Sequence, residues 1–496
     1  MKRNKHSLSH YRLVTADMGR LVPVGCFEVL PGDTVQQATS LLLRVSPLMA
    51  PVMHPVTVRV HHWFVPHRLV WDGWEDFITG GVDGLGGDAG AYPTLTTPAQ
   101  GVARGTIADY LGVPPGVGNL TVSALPVRSY NLIYDQFYRD QDLQAEQDPD
   151  WHGYPHYVAW EKDYFSASRP WPQRGPDVSL PLGVEAPVIA ATQGAYPTLG
   201  GSVSQPPTAL GFVSGSPNVQ WDAGGAAASE RAIWYQTGLK ADLSNASAVN
   251  VNDVRRAFAL QRYQEARAQY GSRYTEYLRY LGVRSSDARL QRPEYLGGGK
   301  QTISFSEVLQ TGPGQTDGSP VPGGVGQMAG HGISAMRSRR YRRFFEEHGL
   351  VISLMSVRPR TLYANALHKL WSRRTKEDYW QKELEQIGQQ EVFRREVYAQ
   401  ADNAGAGGDA VFGYNDRYAE YKHVPSTVHG EFRDLLNYWH LGRIFSSPPA
   451  LNESFVACDP TKRVFAEQDQ HSLWVMVNNS VQARRMVRRS ASSRII

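Results

Sequence analysis

The stretch VRVHHWFVPHRLVW, residues 58–71, sets His61, His62 and His67 close together in and after a run of alternating valines. Whether it is a metal site or a piece of sheet depends on backbone geometry. Successive side chains of a strand point to opposite faces. Read as a strand over 55–66, the segment puts Val56, Val58, Val60, His62 and Phe64 on one face and Thr57, Arg59, His61, Trp63 and Val65 on the other. The adjacent histidines therefore diverge. His67 follows Pro66, which cannot donate to a ladder and so ends the strand. A zinc site needs three or four convergent ligands with carboxylate support behind them, and neither Cys nor Asp stands between Val52 and Trp71. The segment predicts a β-strand, and no metal is assigned to it.

Further strand-like runs lie at 20–30, 40–45, 301–309, 349–357 and 472–477. Their wide separation is unlike a compact sandwich with a turn every 8 to 12 residues, roughly the usual spacing. It predicts a mainly β fold, a sandwich or barrel whose connections have grown into subdomains. Some connections read as helical. Tyr130, Ile133, Tyr134, Phe137 and Tyr138 follow helical spacing with Ser129 as the expected cap. A second helix is expected from Asn252 or Asp253 to Gly271, and a third after Thr375 through Trp380, Leu384 and Ile387, weakened by Gly388. The segment 183–248 is rich in Gly, Ser, Pro and Ala and poor in charge. It nonetheless carries Tyr196, Phe212 and Trp221, so it reads as an ordered, protruding loop and divides the chain into 1–182, 183–248 and 249–496.

With 496 residues, 41% of them hydrophobic and 20% charged, the chain can bury a sizeable core. A net charge of +4 does not mark a dedicated nucleic-acid binder, so such a role must rest on local patches. Three exist: Lys2, Arg3 and Lys5 at the start; Arg337, Arg339, Arg340, Arg342 and Arg343, with Tyr341 and Phe344; and Arg484, Arg485, Arg488, Arg489 and Arg494 at the end. Two cysteines, Cys26 and Cys458, make no disulfide framework or metal knuckle. No run approaches the ~18 apolar residues of a membrane span, and no signal-peptide pattern is present.

Catalysis finds no support. In EYLGGGKQT, Glu294 stands where a phosphate loop needs its first Gly, and Gln301 follows Lys300 where Ser or Thr is required. No GxSxG elbow occurs. A glycosidase needs two convergent carboxylates, and any pair among 47 acids could be named. The alternative left open is a β-sandwich that binds or hydrolyses carbohydrate.

Several long segments narrow the reading. ALPVRSYNLIYDQFYRDQ (124–141), EKDYFSASRPWPQRGP (161–176), SDARLQRPEYLGGGKQTISFSEVLQT (286–311), FFEEHGLVISLMSVRPRTLYANALHKLWSRRTKEDYW (344–380) and FGYNDRYAEYKHVPSTVHGEFR (412–433) closely resemble the major capsid proteins of the Microviridae, small single-stranded-DNA bacteriophages, and in particular the gokushoviruses. The resemblance is colinear over most of 20–470. It implies a viral jelly roll of two antiparallel sheets with long loop insertions, and a structural protein, not an enzyme, that needs no cofactor.

The implied partners are further copies of the chain in a T=1 icosahedral shell, a circular single-stranded DNA genome, small DNA-binding and minor phage proteins, and a host cell-surface receptor met by the 183–248 protrusion. The implied location is the virion, assembled in the bacterial cytoplasm. Basic residues of the three patches, Lys2 to Lys5, Arg337 to Arg343 and Arg484 to Arg489, are the candidates for contact with DNA. Trp63, Trp71 and Trp74 are expected at subunit contacts, where large aromatics serve as anchors. The arginine-rich end departs from the family pattern.

Overall fold

Residue alternation is what builds the two main sheets. The computed structural model describes residues 3–82, 90–178, 188–190, 198–200, 208–209, 233–235, 239–241, 251–271, 273–309, 315–316, 319–320, 328–399 and 410–488. It forms two units, one of 1–174 with 265–496 and one of 175–264.

The strands of the two main sheets, in chain order, are β1 (Asn4–Ser7), β2 (His10–Ala16), β3 (Leu21–Val29), β4 (Thr34–Val45), β5 (Val56–Pro66), β6 (Glu294–Thr302), β7 (Ser304–Leu309), β8 (Met328–Arg337), β9 (Tyr341–Phe344), β10 (Gly349–Pro359) and β11 (Leu473–Arg485). The seven-stranded sheet runs β1–β11–β4–β8–β7, with β2 also on β11 and β9 also on β4. The four-stranded sheet runs β6–β5–β10–β3. All these pairings are antiparallel. Successive strands β3, β4 and β5 change sheet each time, as in a jelly roll.

The inward positions of both sheets meet in one core. Leu41, Leu43, Val475 and Val477 from the seven-stranded sheet pack with Val56, Val58, Val60, Met355 and Val357 from the other. At the far end Val35, Val481 and Ala483 meet Phe64, Phe345 and Val351. Between these apolar groups lies a polar layer. Thr39 is the register partner of Asn479, and His62 of Ser353. Gln37 Nε2 donates to Ser353 Oγ at 3.0 Å, and Thr39 Oγ1 donates to Asn479 Oδ1 at 2.7 Å. A buried polar layer costs little only when its members find partners, and a register slip would strand them against valines.

The outer face of the four-stranded sheet is covered by helix α1 (Leu125–Phe137), whose Tyr130, Ile133 and Tyr134 bury against Trp63, Val65, Ile352 and Leu354. With both faces covered, β10 is buried at all positions but Arg358, which is half-buried. A third cluster, Tyr164, Phe165, Tyr363, Val392, Val397, Phe412 and Phe455, forms within the connections. Among its described residues the second unit holds two short antiparallel sheets, Leu239–Ala241 on Val188–Ala190, and Thr208–Ala209 and Ile233–Tyr235 on either side of Thr198–Gly200.

Local expectations need correction. Helix α1 starts earlier than the aromatic spacing suggests, with Ala124 at its cap, and Ser129 lies inside, its hydroxyl donating back to Leu125 O at 2.7 Å. The segment after Thr375 forms two 3-10 turns, Lys376–Asp378 and Leu384–Gln386, ended by Gly388 at φ 98°. Three residues of helical period are too few to outweigh that glycine. Helix Val251–Tyr270 matches the second expectation. The GGGK run lies in β6, where a Cβ on Gly298 would sit 2.2 Å from Val60 O. Its glycines allow close strand approach.

Candidate nucleic-acid interface

The outward face of the seven-stranded sheet is set by the same alternation as its core. Across β1, β11, β4 and β9, one row reads Lys5, Arg484, Thr34, Phe344, and the next outward row reads Ser7, Gln482, Gln36, Arg342. Farther along, Tyr11, Asn478, Ser40 and Arg337 align across β2, β11, β4 and β8. Thr15, Trp474, Arg44 and Ile333 form the last such row. These rows hold five cations and no carboxylate. Tyr11 is 74% exposed and Trp474 42%, so rings as well as charges face outward.

Segments from the start, middle and end of the chain thus meet at one edge. Arg3 lies over the Phe344 ring, 5.2 Å from its centroid, and Nη1 donates to Thr34 Oγ1 at 3.2 Å. Arg339 and Arg340 are exposed in the link between β8 and β9, and Arg488 is exposed just beyond β11. Two of the sequence candidates are already paired: Arg343 with Glu294 at 2.8 Å, and Arg485 with Asp33 at 2.7 Å. Lys2, Arg489, Arg494, Tyr196, Phe212 and Trp221 lie outside the described residues.

The buried polar layer positions this face. Ser338, between Arg337 and Arg339, accepts from Thr39 N–H at 2.8 Å, and its hydroxyl also bonds His62 Nε2 at 3.1 Å. Tyr341 donates to Gln37 Oε1 at 2.7 Å. Tyr341 is therefore a buried anchor, which corrects its placement among the surface aromatics; in β9 the exposed ring is Phe344. His62, in contact with Ser353 Oγ at 2.8 Å, has its pKa lowered to about 4 by burial, with His61 adding to the effect. It stays neutral at pH 7, as a hydroxyl-bridged imidazole in a dry layer requires.

The opening histidines part as the strand geometry demands. His61, on the opposite face, bonds the Tyr138 hydroxyl at 2.7 Å. His67 begins a 3-10 turn and packs on Trp74 at 4.5 Å. Among the described residues no three His, Cys, Asp or Glu side chains gather into a metal-ligand group. Trp63 is corrected from a contact residue to a core residue, 5% exposed and 4.1 Å from Phe137.

Arg44, Tyr11 and Trp474 escaped the sequence reading because each stands alone among strand residues. The available signal was their parity with Arg337 and Arg484 along paired strands. No helix among the described residues is long and apolar enough to cross a membrane.

Comparison with known proteins agrees with this fold. The family model described as capsid protein (F protein) matches residues 1–493. Capsid protein VP1 of Bdellovibrio phage phiMH2K is 36% identical over 478 residues, covering 92% of this chain and 87% of that protein. Capsid protein VP1 of Chlamydia phage 1 is 31% identical, covering 95% and 92%. That of Spiroplasma virus 4 is 28% identical, covering 92% and 88%.

Proposed function

The chain belongs to the phage capsid protein (F protein) family, and from that premise we propose that its copies close into an icosahedral shell around circular single-stranded DNA, with the outward face of the seven-stranded sheet turned to the genome. As a major capsid protein of a Microviridae-type phage it is a virion component that assembles in many copies. The observation that carries the DNA reading is the convergence of Lys5, Arg484, Arg342, Arg337 and Arg44 in outward rows that hold no carboxylate, beside Trp474 and Tyr11. Guanidinium groups pair with phosphate and stack on bases, and exposed rings give bases a sequence-tolerant platform.

The test is salt-dependent binding of an oligothymidylate. The logarithm of affinity should fall with log salt by about 0.7 for each phosphate neutralised. Replacing Arg337, Arg342 and Arg484 with Ala together should lower that slope. An unchanged slope would reject the face.

Segment 183–248 is proposed to meet the host surface through Tyr196, Phe212 and Trp221, supported by its aromatic, charge-poor composition. Deleting it should abolish adsorption while particles still form; adsorption at the normal level would refute the role. Small DNA-binding and minor phage proteins complete the proposed assembly, which takes place in the bacterial cytoplasm.

A further inference from the structure

The second candidate site lies on the other sheet. On the outer face of the four-stranded sheet, Lys300 of β6 is the direct register partner of Arg59 of β5. Arg358 of β10 pairs with Thr57, one outward position along from Arg59. Three cations thus stand together on three adjacent strands, and like charges placed directly across a strand pair repel.

One carboxylate answers them. Glu161 Oε1 sits 2.6 Å from Arg59 Nη2. Arg358 Nη1 donates to the carbonyl of Ala159 at 2.7 Å, and neither Arg358 nor Lys300 forms an ion pair with any described residue. Arg59 Nε is buried with no hydrogen-bond partner. Arg59 and Arg358 line a cleft of about 440 Å³ with His61, Tyr138, Glu161 and Lys162. The other acids of the cleft are engaged: Asp140 with Lys162 and Arg169, Asp142 with Arg169 and Arg174, and Glu276 accepting from the Arg273 N–H at 3.1 Å.

A surplus of positive charge beside an open cleft defines what is missing, an oxyanion. We propose that Arg59, Arg358 and Lys300 form a binding site for a free phosphate group, inorganic or monoester. Lys300 belongs to the GGGK run that fails as a phosphate loop. It stands beside the cleft as the register partner of Arg59, with no glycine cradle involved. The site faces away from the seven-stranded sheet, since Val58 and Val60, alternating with Arg59, fill the core between the sheets. It is therefore separate from the proposed DNA face and does not depend on that reading.

The experiment compares thermal unfolding of the full-length, unassembled protein in sodium phosphate and in sodium chloride at matched ionic strength. Wild type and Arg337→Gln, altered on the other sheet, should both unfold at higher temperature in phosphate. The shift should vanish in Arg358→Gln and shrink in Lys300→Gln, whose exposed side chain can change without disturbing the core. In chloride, Lys300→Gln should unfold no earlier than wild type, because a like-charge contact across the strand pair is relieved. Equal midpoints in the two salts for wild type, or a full shift in both site variants, would overturn the site. Oligothymidylate affinity should be unchanged in Arg358→Gln; a drop would transfer the anion to a nucleic-acid phosphodiester and overturn the free-phosphate assignment.

Discussion

Lys5 and Arg484, from opposite ends of the chain, are direct cross-strand partners on the outward face of the seven-stranded sheet. Two cations placed so repel, which is unfavourable for the isolated subunit and useful for one that gathers phosphates. Lys5→Gln is expected to stabilise the unassembled protein by about 0.2–1 kcal/mol, read from urea unfolding, while weakening oligonucleotide binding. Lower stability together with unchanged binding would contradict this.

The buried imidazoles make stability depend on pH. His54, His61, His62 and His156 all have pKa values lowered to about 4 in the folded chain, chiefly by burial, against the ordinary histidine value of 6.5. Between those values the unfolded chain binds more protons than the folded one. Their contribution is therefore fully present above pH 6.5 and declines as pH falls towards 4. Urea midpoints should drop across that window, and His62→Gln should make the decline shallower.

Trp63 supplies a core test. Its ring packs against Phe137 and its Nε1 donates to Tyr138 Oη at 3.2 Å. Trp63→Ala should cost about 3–5 kcal/mol of subunit stability, measured by denaturation before any assembly. Normal subunit stability with impaired association would restore the contact role expected from sequence.

Tyr341 and Trp474 separate anchoring from stacking. Tyr341→Phe leaves Gln37 Oε1 without its donor and should cost about 1–3 kcal/mol of stability, with the DNA affinity of the folded fraction unchanged. Trp474→Ala should show the reverse, losing about 1–3 kcal/mol of oligonucleotide binding with little change in unfolding. Fluorescence anisotropy on both variants decides it.

The strands that bury one or both faces in aliphatic residues were legible from sequence, since alternation alone identifies β5 and much of β3, β10 and β11. β1 and the far end of β11 were hidden because Lys5 and Arg484 sit on outward positions, so these segments read as basic tails. The buried layer was hidden for the opposite reason. Gln37, Thr39 and Asn479 are polar, and nothing local says that each finds its partner on another strand. The meeting of Arg59, Arg358 and Lys300 likewise depends on strand register, which no single segment carries.

The most direct test of the central claim is ultraviolet cross-linking of DNA-filled particles followed by peptide mapping. The seven-stranded face predicts cross-links in peptides containing Tyr11, Phe344 and Trp474. Cross-links absent from all three and confined to the side of the four-stranded sheet, around Tyr138 and Trp160, would show that the genome meets the opposite face.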